Sequence, residues 1–529
     1  MKVEEDEQLT DVIYTEQKVK EKIDSLRTEA VGGADGISPR ILKEIKEEVA
    51  LPLKILFCRS MDENKTPGEW KESDVVPIFK GGSKFLPKNY RPVNLMKTIC
   101  KVKEMIDRDD IVEHCERKRL FSKTQHGFCQ GMSCQTNLIE FHNQRTKWMD
   151  ERKSCDILLV DFARAFDKIN HGRLKRKLKM FGIAGKLLEW IVDWLRDRRQ
   201  RVVVEGEYSE WVEVLSSVVQ GSVLGPILFI IFIDDIDETA KALVRKFADD
   251  TKEAMVVENE EDRAVFQEEI KKLEKWAKEE LMEFNVEKCK ILHVGGRNRK
   301  FDYKLEGEIL GVVEEEKDLG VTVANTLKPS KQCSKAAKKV NQVLGQVARA
   351  FHYRTKSVFG KLFKTFVRPI VEYAVAAWSP WTEGDCEVLE KVQRRCVRMM
   401  SDVRGETYEE KLKDAGLMLL KERRMRGDMI ETFKVLKRFT RVEKGEWFSF
   451  VGESQRSTRQ NSEVREGAVE RREEVLAGER YRLEIRKNFF NVRVTKMWNG
   501  LPDNVKKAST VNGFKSQIDA YLKNNRLSQ

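Results

Sequence analysis

The 529-residue chain is sparing in the residues that mark several protein classes. It has 6 His and 11 Pro, and its 10 Cys form no C-x-x-C pair and no Cys-Cys-His-Cys knuckle. That spacing argues against a zinc module and against a secreted disulfide framework. The longest apolar run, Val223 to Ile233, is about half of the roughly 20 residues a membrane span needs. The opening MKVEEDEQLT has neither the basic nor the apolar region of a signal peptide. No repeat recurs at a solenoid or propeller period. These absences predict an intracellular protein of the nucleus or cytoplasm, not secreted and with no membrane.

What the chain has is charge. Asp, Glu, Lys and Arg make up 35%, with 99 basic against 87 acidic residues. The excess is uneven: residues 321–529 hold 43 basic and 25 acidic side chains, whereas residues 1–320 hold 56 and 62. A basic segment interleaved with Trp, Phe and Tyr suits a polyanion such as nucleic acid or an anionic membrane surface, a solvated helical surface being the plainer alternative. Hydrophobic residues at 40% are enough for a core, and the length allows two to four domains.

The hydrophobic pattern predicts a charged, helix-prone entry, a turn at Gly32–Gly36, and an amphipathic helix from near Pro39. Val75–Phe79, Lys80–Lys84 and Asn89–Val93 read as strand, basic turn and strand. Ile157 to Asp161 is an apolar strand ending in a carboxylate, Lys186–Leu195 a helix, and Arg201–Val214 a hairpin turning near Gly206. Ala242–Ala248 and Glu253–Val257 alternate as strands around Asp249-Asp250. Phe266, Ile270, Leu273, Ala277, Leu281 and Phe284 mark a helix stopping at Asn285, followed by strands containing Ile291–Val294 and Leu319–Val323. From Lys331 the pattern is helical, with one apolar and one basic face.

Asp-Asp occurs at 109/110, 234/235 and 249/250, so the dipeptide alone says little. Asp109-Asp110 lies in a charged helix, and Asp234-Asp235 reads as an apolar helix's exit to solvent. Asp249-Asp250 sits at a hairpin tip, and Asp161 ends another apolar strand. Three carboxylates gathered from strand ends repel one another unless a divalent cation neutralises them, and oxygen-only donors favour Mg²⁺ or Mn²⁺. Two such ions suit nucleotidyl transfer.

These residues carry a family resemblance. Asp161-Phe162-Ala163-Arg164-Ala165-Phe166-Asp167, Gln220-Gly221-Ser222-Val223-Leu224-Gly225-Pro226 and Phe247-Ala248-Asp249-Asp250 follow in the order of the palm motifs of reverse transcriptases from non-LTR (LINE-type, jockey-like) retrotransposons. Ala34–Ile37, Asn89–Pro92, Gln125–Phe128, Phe284–Lys290, Leu319–Val321 and Val367–Pro380 fall where that family has them.

The resemblance implies an α+β right-hand polymerase. Its parts would be an N-terminal extension (1–29), fingers (30–150), a palm with an antiparallel ferredoxin-like sheet (151–323), a helical thumb (324–400) and a basic, mostly helical C-terminal domain (401–529), flexible near 452–478. It implies RNA-templated addition of deoxynucleoside triphosphates to a DNA 3′-hydroxyl, on a primer or target DNA. Asp161, Asp249, Asp250 and the Phe162 carbonyl would hold two Mg²⁺ ions (Mn²⁺ possible), and the Phe162 ring would crowd a ribose 2′-hydroxyl. Lys80 and Arg91 would reach the triphosphate, Gln220 and Gly221 would position the nucleotide, and Lys288 would protonate leaving pyrophosphate. Lys331, Lys335, Lys338, Lys339 and Arg349 would grip the template–primer duplex.

Asp167, Asn170, His171 and His126 are expected to order turns rather than catalyse. A separate endonuclease would be needed for target nicking. The chain departs from the family at Ser217 and Val219, where Gly and Pro are usual, and at Cys129 and Met132, where basic residues are common. Those departures suit an alternative, a catalytically silent nucleic-acid-binding remnant. An RNA-templated RNA polymerase is disfavoured by the bulk of Phe162.

Overall fold

The computed structural model describes residues 3–29, 32–33, 35–451 and 475–526. Ala34 of the first motif, and residues 452–474 of the stretch expected to be flexible, lie outside the described residues. The entry segment is not a loose extension. Val12, Tyr14, Val19 and Ile23 are buried, the last two on helix α1 (Glu16–Ser25), which packs on α2 (Lys46–Asp62) and α3 (Thr98–Arg117). Asp109 and Asp110 of α3 are ion-paired back to Lys22 and Lys18 of α1.

The basic hairpin forms as β1 (Glu72–Phe79) and β2 (Tyr90–Leu95). Helix α4 (Cys134–Asp150), opened by a Ser133–Thr136 capping box, leads to strand β3 (Cys155–Val160). After α5 (His171–Met180) and α6 (Gly185–Leu195), strand β4 (Arg198–Val204) turns at Gly206 into β5 (Glu207–Tyr208) and also pairs with β6 (Val212–Val214). Strand β4 lies parallel to β1. Residues from within the palm stretch of the sequence thus complete the fingers sheet.

Helix α7 (Gly225–Ile233) is apolar all round and correspondingly buried. The Asp234-Asp235 pair that follows does not exit to solvent. Asp234 is buried and accepts from the Ser122 backbone N–H at 2.7 Å, while Asp235 accepts from Trp276 Nε1 at 2.8 Å and pairs with Lys177. The helix ends into a polar network that fastens it to its neighbours, a destination the local pattern does not reveal.

Strands β7 (Leu243–Phe247) and β8 (Asp250–Val256) form the expected hairpin, then α8 (Glu260–Glu280) follows. That helix ends before Asn285, because Leu281 takes a left-handed φ of 59° and points outward. Phe284 leaves the helix to stack on Phe162, with ring centroids 5.0 Å apart. Strands β9 (Lys290–Val294) and β10 (Gly311–Val313) follow, and then a separate hairpin, β11 (Glu315–Asp318) and β12 (Val321–Ala324), with Leu319-Gly320 as its turn rather than as strand.

The palm sheet runs β10-β9-β3-β8-β7, antiparallel throughout except for the parallel β10–β9 edge. Leu158, Val160 and Ile291 face the core that includes α5, α7 and α8, and Cys155, Ile157, Ala254 and Leu292 face Phe141 of α4 and Val323 of β12. This mixed, right-hand architecture is the fold expected of the sequence. Among the described residues, no helix is long and apolar enough to cross a membrane.

Beyond the sheet come α9 (Ser330–Ala350), α10 (Glu383–Arg398), α11 (Leu420–Leu436), α12 (Phe490–Asn499) and α13 (Val511–Arg526). One hydrophobic cluster joins α9 and α10 to α11, α12 and α13, and reaches Leu138 and Ile139 of α4. The thumb and the basic C-terminal region therefore share a core, so removing everything after residue 400 would strip apolar contacts as well as charge. Phe433 lies at its centre, fully buried and stacked on Phe514 at 4.3 Å. Phe433→Ala is expected to destabilise the chain by about 3–5 kcal/mol. Denaturant unfolding would show it, and an unchanged midpoint would mean that the C-terminal region contributes nothing to the stability of the whole.

Candidate active site

Asp161 follows the last residue of β3, the central strand of the palm sheet, and its backbone is clasped from one side. Asn285 N–H donates to the Asp161 carbonyl at 2.8 Å, and Cys289 Sγ contacts both the Asp161 N–H (3.4 Å) and its carbonyl (3.6 Å). Burial beside Asp161 pushes the Cys289 thiol up to about 11, which keeps it protonated and able to donate. The sequence reading passed over Cys289; its place beside Lys288 in the motif was the available signal. Lys288 Nζ lies 3.3 Å from Asp161 Oδ2, without hydrogen-bond geometry, so that buried oxygen keeps no hydrogen-bond partner.

Asp249 and Asp250 come from the neighbouring strand pair, on a two-residue turn that needs a positive φ, here Ala248 at 57°. An alanine adopts that conformation at some expense, and the surroundings hold it there. Gln125 Oε1 accepts from both Ala248 N–H (3.0 Å) and Gly127 N–H (2.8 Å). Gly127 packs so closely that a Cβ on it would stand 2.4 Å from the Ala248 nitrogen. The Gln125-His126-Gly127 motif thus braces the turn. His126 itself is a satisfied structural histidine, bonded to Thr136 Oγ1 (2.9 Å) and Glu140 (3.1 Å).

The carboxylates act on one another. Asp249 is raised above the usual carboxylate range by burial and by Asp161, against the opposing pull of Arg91 and Lys80. The surface of Asp250 is open to solvent, yet the protein mass around it and the charges of Asp249, Asp318 and Asp161 push it up to about 6.

Gln220 and Gly221 are fastened to β2 of that hairpin. Asn94 donates to the Gln220 carbonyl from its backbone N–H (2.8 Å) and its Nδ2 (3.1 Å), and is itself held by Ser73 Oγ at 2.7 Å. Gly221 has φ 113°, and a Cβ there would meet the Asn94 carbonyl at 2.5 Å, so only glycine fits. Ser217, three residues before Gln220, is also at φ 113°. The turn is tied by Ser217 N–H to the Ile169 carbonyl, Val218 N–H to the Phe166 carbonyl, and His171 Nε2 to the Ser217 carbonyl (2.9 Å). Asn170 caps α5 through the Arg173 N–H, and Ser216 Oγ donates to the Asp167 carbonyl. Asp167, Asn170 and His171 order this turn.

Three expected roles meet different surroundings. Phe162 is buried between Phe284 and the edge of Trp276, so its ring does not reach the cleft. Phe162 is the second residue after β3 and falls on the same side as buried Val160, as alternation could have suggested. The half-buried aromatic is Phe166, stacked on Phe229 at 4.3 Å and bonded to the segment that leads into Gln220. All five basic residues of the thumb helix α9 stand exposed, and two of them, Lys331 and Lys335, also form surface ion pairs with Glu315 at 3.6 and 2.9 Å. Cys129 is buried and Met132 packs against the thumb core, so neither faces outward as a phosphate contact would.

Among the described residues, no group of three or more His, Cys, Asp or Glu side chains is drawn together at metal-ligating distance. The donor chemistry still fits a hard divalent cation. It is all oxygen, one Asp161 oxygen is buried without a hydrogen-bond partner, and burial together with mutual repulsion raises the other two carboxylates.

Carboxylates at adjoining strand ends, opposed by a basic hairpin and a pinned Gln-Gly loop, define the palm and fingers of a right-hand polymerase. Residues 78–323 match the sequence model of the family described as reverse transcriptase (RNA-dependent DNA polymerase). The chain is 25% identical over 415 residues to the probable RNA-directed DNA polymerase from transposon BS of Drosophila melanogaster, covering 74% of this chain and 45% of that protein. It is 22% identical over 404 residues to the RNA-directed DNA polymerase from mobile element jockey of the same species, covering 73% and 44%. A third relative is the probable polymerase from the transposon X-element, 28% identical over 41% of this chain and 25% of that one. The chain thus spans a little under half the length of the first two relatives. The resemblance to LINE-type, jockey-like reverse transcriptases read from the motifs is borne out by these matches. Among solved structures, an apo telomerase of Candida tropicalis truncated from its C-terminal domain aligns with 55% of this chain and 60% of that one, at 13% identity and a TM-score of 0.35.

Two outcomes follow from the site. Ser217→Gly should stabilise the chain by about 1 kcal/mol by relieving a left-handed backbone, read as a higher denaturant midpoint at constant slope; a lower midpoint would show that Ser217 is not strained. The raised Asp250 carboxyl favours the folded state below about pH 4 and withdraws that support as pH climbs through about 6. In urea unfolding, the wild type should therefore lose stability relative to Asp250→Asn between those values. Parallel profiles would contradict it.

Proposed function

We propose that the chain is an RNA-directed DNA polymerase, adding deoxynucleotides to a DNA 3′-hydroxyl on an RNA template. The observation that carries this reading is the gathering of Asp161, Asp249 and Asp250 at the ends of adjoining strands, with the Gln220-Gly221 loop pinned to the basic hairpin whose strand ends carry Lys80 and Arg91. Asp161, Asp249, Asp250 and the Phe162 carbonyl, which takes no part in the backbone bridge to Phe284, would hold two divalent ions, Mg²⁺ or Mn²⁺. When bound, such ions supply Lewis-acid activation of the primer hydroxyl and neutralise charge on the leaving pyrophosphate.

The remaining work falls to the chain's own groups. Arg91 offers a planar fork of donors and Lys80 a point charge to the triphosphate. Gly221 lets backbone approach the nucleotide, and Gln220 orients it. Lys288, at the mouth of the cleft beside Asp161, holds a proton for departing pyrophosphate. The half-exposed Phe166 takes the place first expected of Phe162, crowding the ribose 2′ position. Lys338, Lys339 and Arg349 offer charge to the duplex phosphates in a salt-sensitive, sequence-indifferent grip. Such a chain works inside the cell, in nucleus or cytoplasm.

A second reading is favoured by Ser217. A non-glycine residue at φ 113° just before Gln220 suits a polymerase remnant that still binds nucleic acid but positions nucleotide poorly.

The test is deoxynucleotide incorporation on a primed RNA template with Mg²⁺, comparing wild type, Asp249→Asn/Asp250→Asn, Phe162→Ala and Phe166→Ala. Incorporation abolished in the carboxylate variant is expected. Phe166→Ala should admit ribonucleotides about tenfold or more better, as loss of a steric contact of 1–3 kcal/mol allows, whereas Phe162→Ala should lower stability without changing sugar choice. A wild type that binds the primed template and extends nothing would decide for the remnant.

A further inference from the structure

The β11–β12 hairpin stands beside the catalytic strand without belonging to its sheet. Among the described residues it forms a two-stranded sheet of its own, and no ladder joins it to the five strands of the palm. Its base is tethered to the palm through Glu314, which joins β11 to the edge strand β10, and the depth of its tip is set by packing and by side chains. Toward the thumb the ties are several: Tyr373 Oη donates to the Leu319 carbonyl at 2.9 Å, the Tyr373 ring lies against Gly320, Gln332 Oε1 accepts from Thr322 N–H at 2.8 Å, and Lys335 pairs with Glu315.

Toward the palm, among the described residues, there is one charged tie. Lys252 sits on β8 two residues after Asp250, so the two side chains project to the same face of the sheet. Its Nζ meets Asp318 Oδ2 at 2.5 Å, with both side chains almost wholly buried. The ammonium also lies 4.8 Å from the Phe141 ring centroid. Asp318 is the last residue of β11, immediately before the Leu319-Gly320 turn. Asp161, Asp250, Lys288, Lys252 and Asp318 line one cleft of about 310 Å³, bounded on one side by strand ends and on the other by the hairpin tip.

A buried lysine with one carboxylate partner is an exacting arrangement. Removing the partner leaves a desolvated charge, and an apolar pair of similar volume would fill the space without that hazard. What the ion pair adds over apolar packing is direction: it holds when the hairpin tip sits at one depth over β8 and fails when the tip slides.

We propose that Lys252 and Asp318 are positioning residues that latch the β11–β12 hairpin to the strand bearing Asp250, setting the depth of the cleft that receives the primer terminus. Without the latch the hairpin follows the thumb, to which its other polar ties run. The inference rests on the polymerase reading for what occupies the cleft, but the latch itself can be tested without catalysis.

The experiment uses the full chain as Asp318→Asn, Asp318→Glu and the apolar double variant Lys252→Met/Asp318→Leu. Hydrogen exchange of the amides in 315–324 is measured first, followed by KM for primed template and KM for deoxynucleotide. The latch predicts exchange about tenfold faster in Asp318→Asn with β8 amides little changed, and a KM for primed template raised about tenfold while that for nucleotide stays put, the scale of a misplacement near 1 Å or less. Asp318→Glu should recover most of both. The double variant should fold with a wild-type thermal midpoint and still show the loose hairpin and the weak primer.

Wild-type exchange and wild-type primer KM in the double variant would overturn the proposal, since the pair would then be simple charge compensation. Equal rises in both KM values would overturn it too. If Asp318→Asn does not fold, the double variant decides alone. If the wild type extends no primer, the polymerase reading falls. The latch then stands with faster exchange in 315–324, and is overturned by unchanged exchange.

Discussion

Everything around the cleft follows from holding carboxylates of like sign close together. Asp161 and the Asp249-Asp250 pair sit at the ends of adjacent antiparallel strands, where their repulsion and partial burial push Asp249 and Asp250 toward the protonated form. Such an arrangement persists only if the backbone is fixed from outside. Here Asn285 and Cys289 clasp Asp161, and Gln125 clasps Ala248. The apolar sheet beneath supplies rigidity, and the clasps supply the last increment of position.

The same logic explains which motif residues touch the cleft and which serve it. Gln125, Asn94 and Cys289 lie beside the chemistry as supports, each hydrogen-bonded to a backbone that would otherwise relax, and Gly127 packs against the same turn. Gly221 and Gly127 are glycines because neighbouring backbone leaves no room for a Cβ. Ser217 shows the converse: where the backbone calls for glycine and the chain has serine, hydrogen bonds to the Ile169 and Phe166 carbonyls and from His171 keep the turn in place against strain.

Fingers, palm, thumb and C-terminal region are less separable than a linear division implies. Strand β4 crosses from the palm stretch to pair with β1. The C-terminal region shares its core with the thumb and reaches α4, where Trp447 Nε1 donates to Glu140, the carboxylate that also meets His126 and Arg245. Packing around Trp447 is therefore coupled, through Glu140, to the segment bracing the Asp249 turn.

The sequence by itself determined the strands that end in Asp161 and flank Asp249-Asp250, the basic hairpin with Lys80 and Arg91, the helix that starts near Lys331, and the family resemblance, because period-two and period-3.6 patterns and ordered motifs are local properties of the text. Tertiary structure alone decided that Phe166 stays half-exposed on Phe229, that Asp234-Asp235 enters a buried network, and that Lys331 and Lys335 stand within reach of Glu315. It alone decided that Lys252 meets Asp318 across 66 residues. Each of these depends on what a distant segment places opposite the residue, and a burial or a charge partner supplied from elsewhere in the chain leaves no mark on the local pattern.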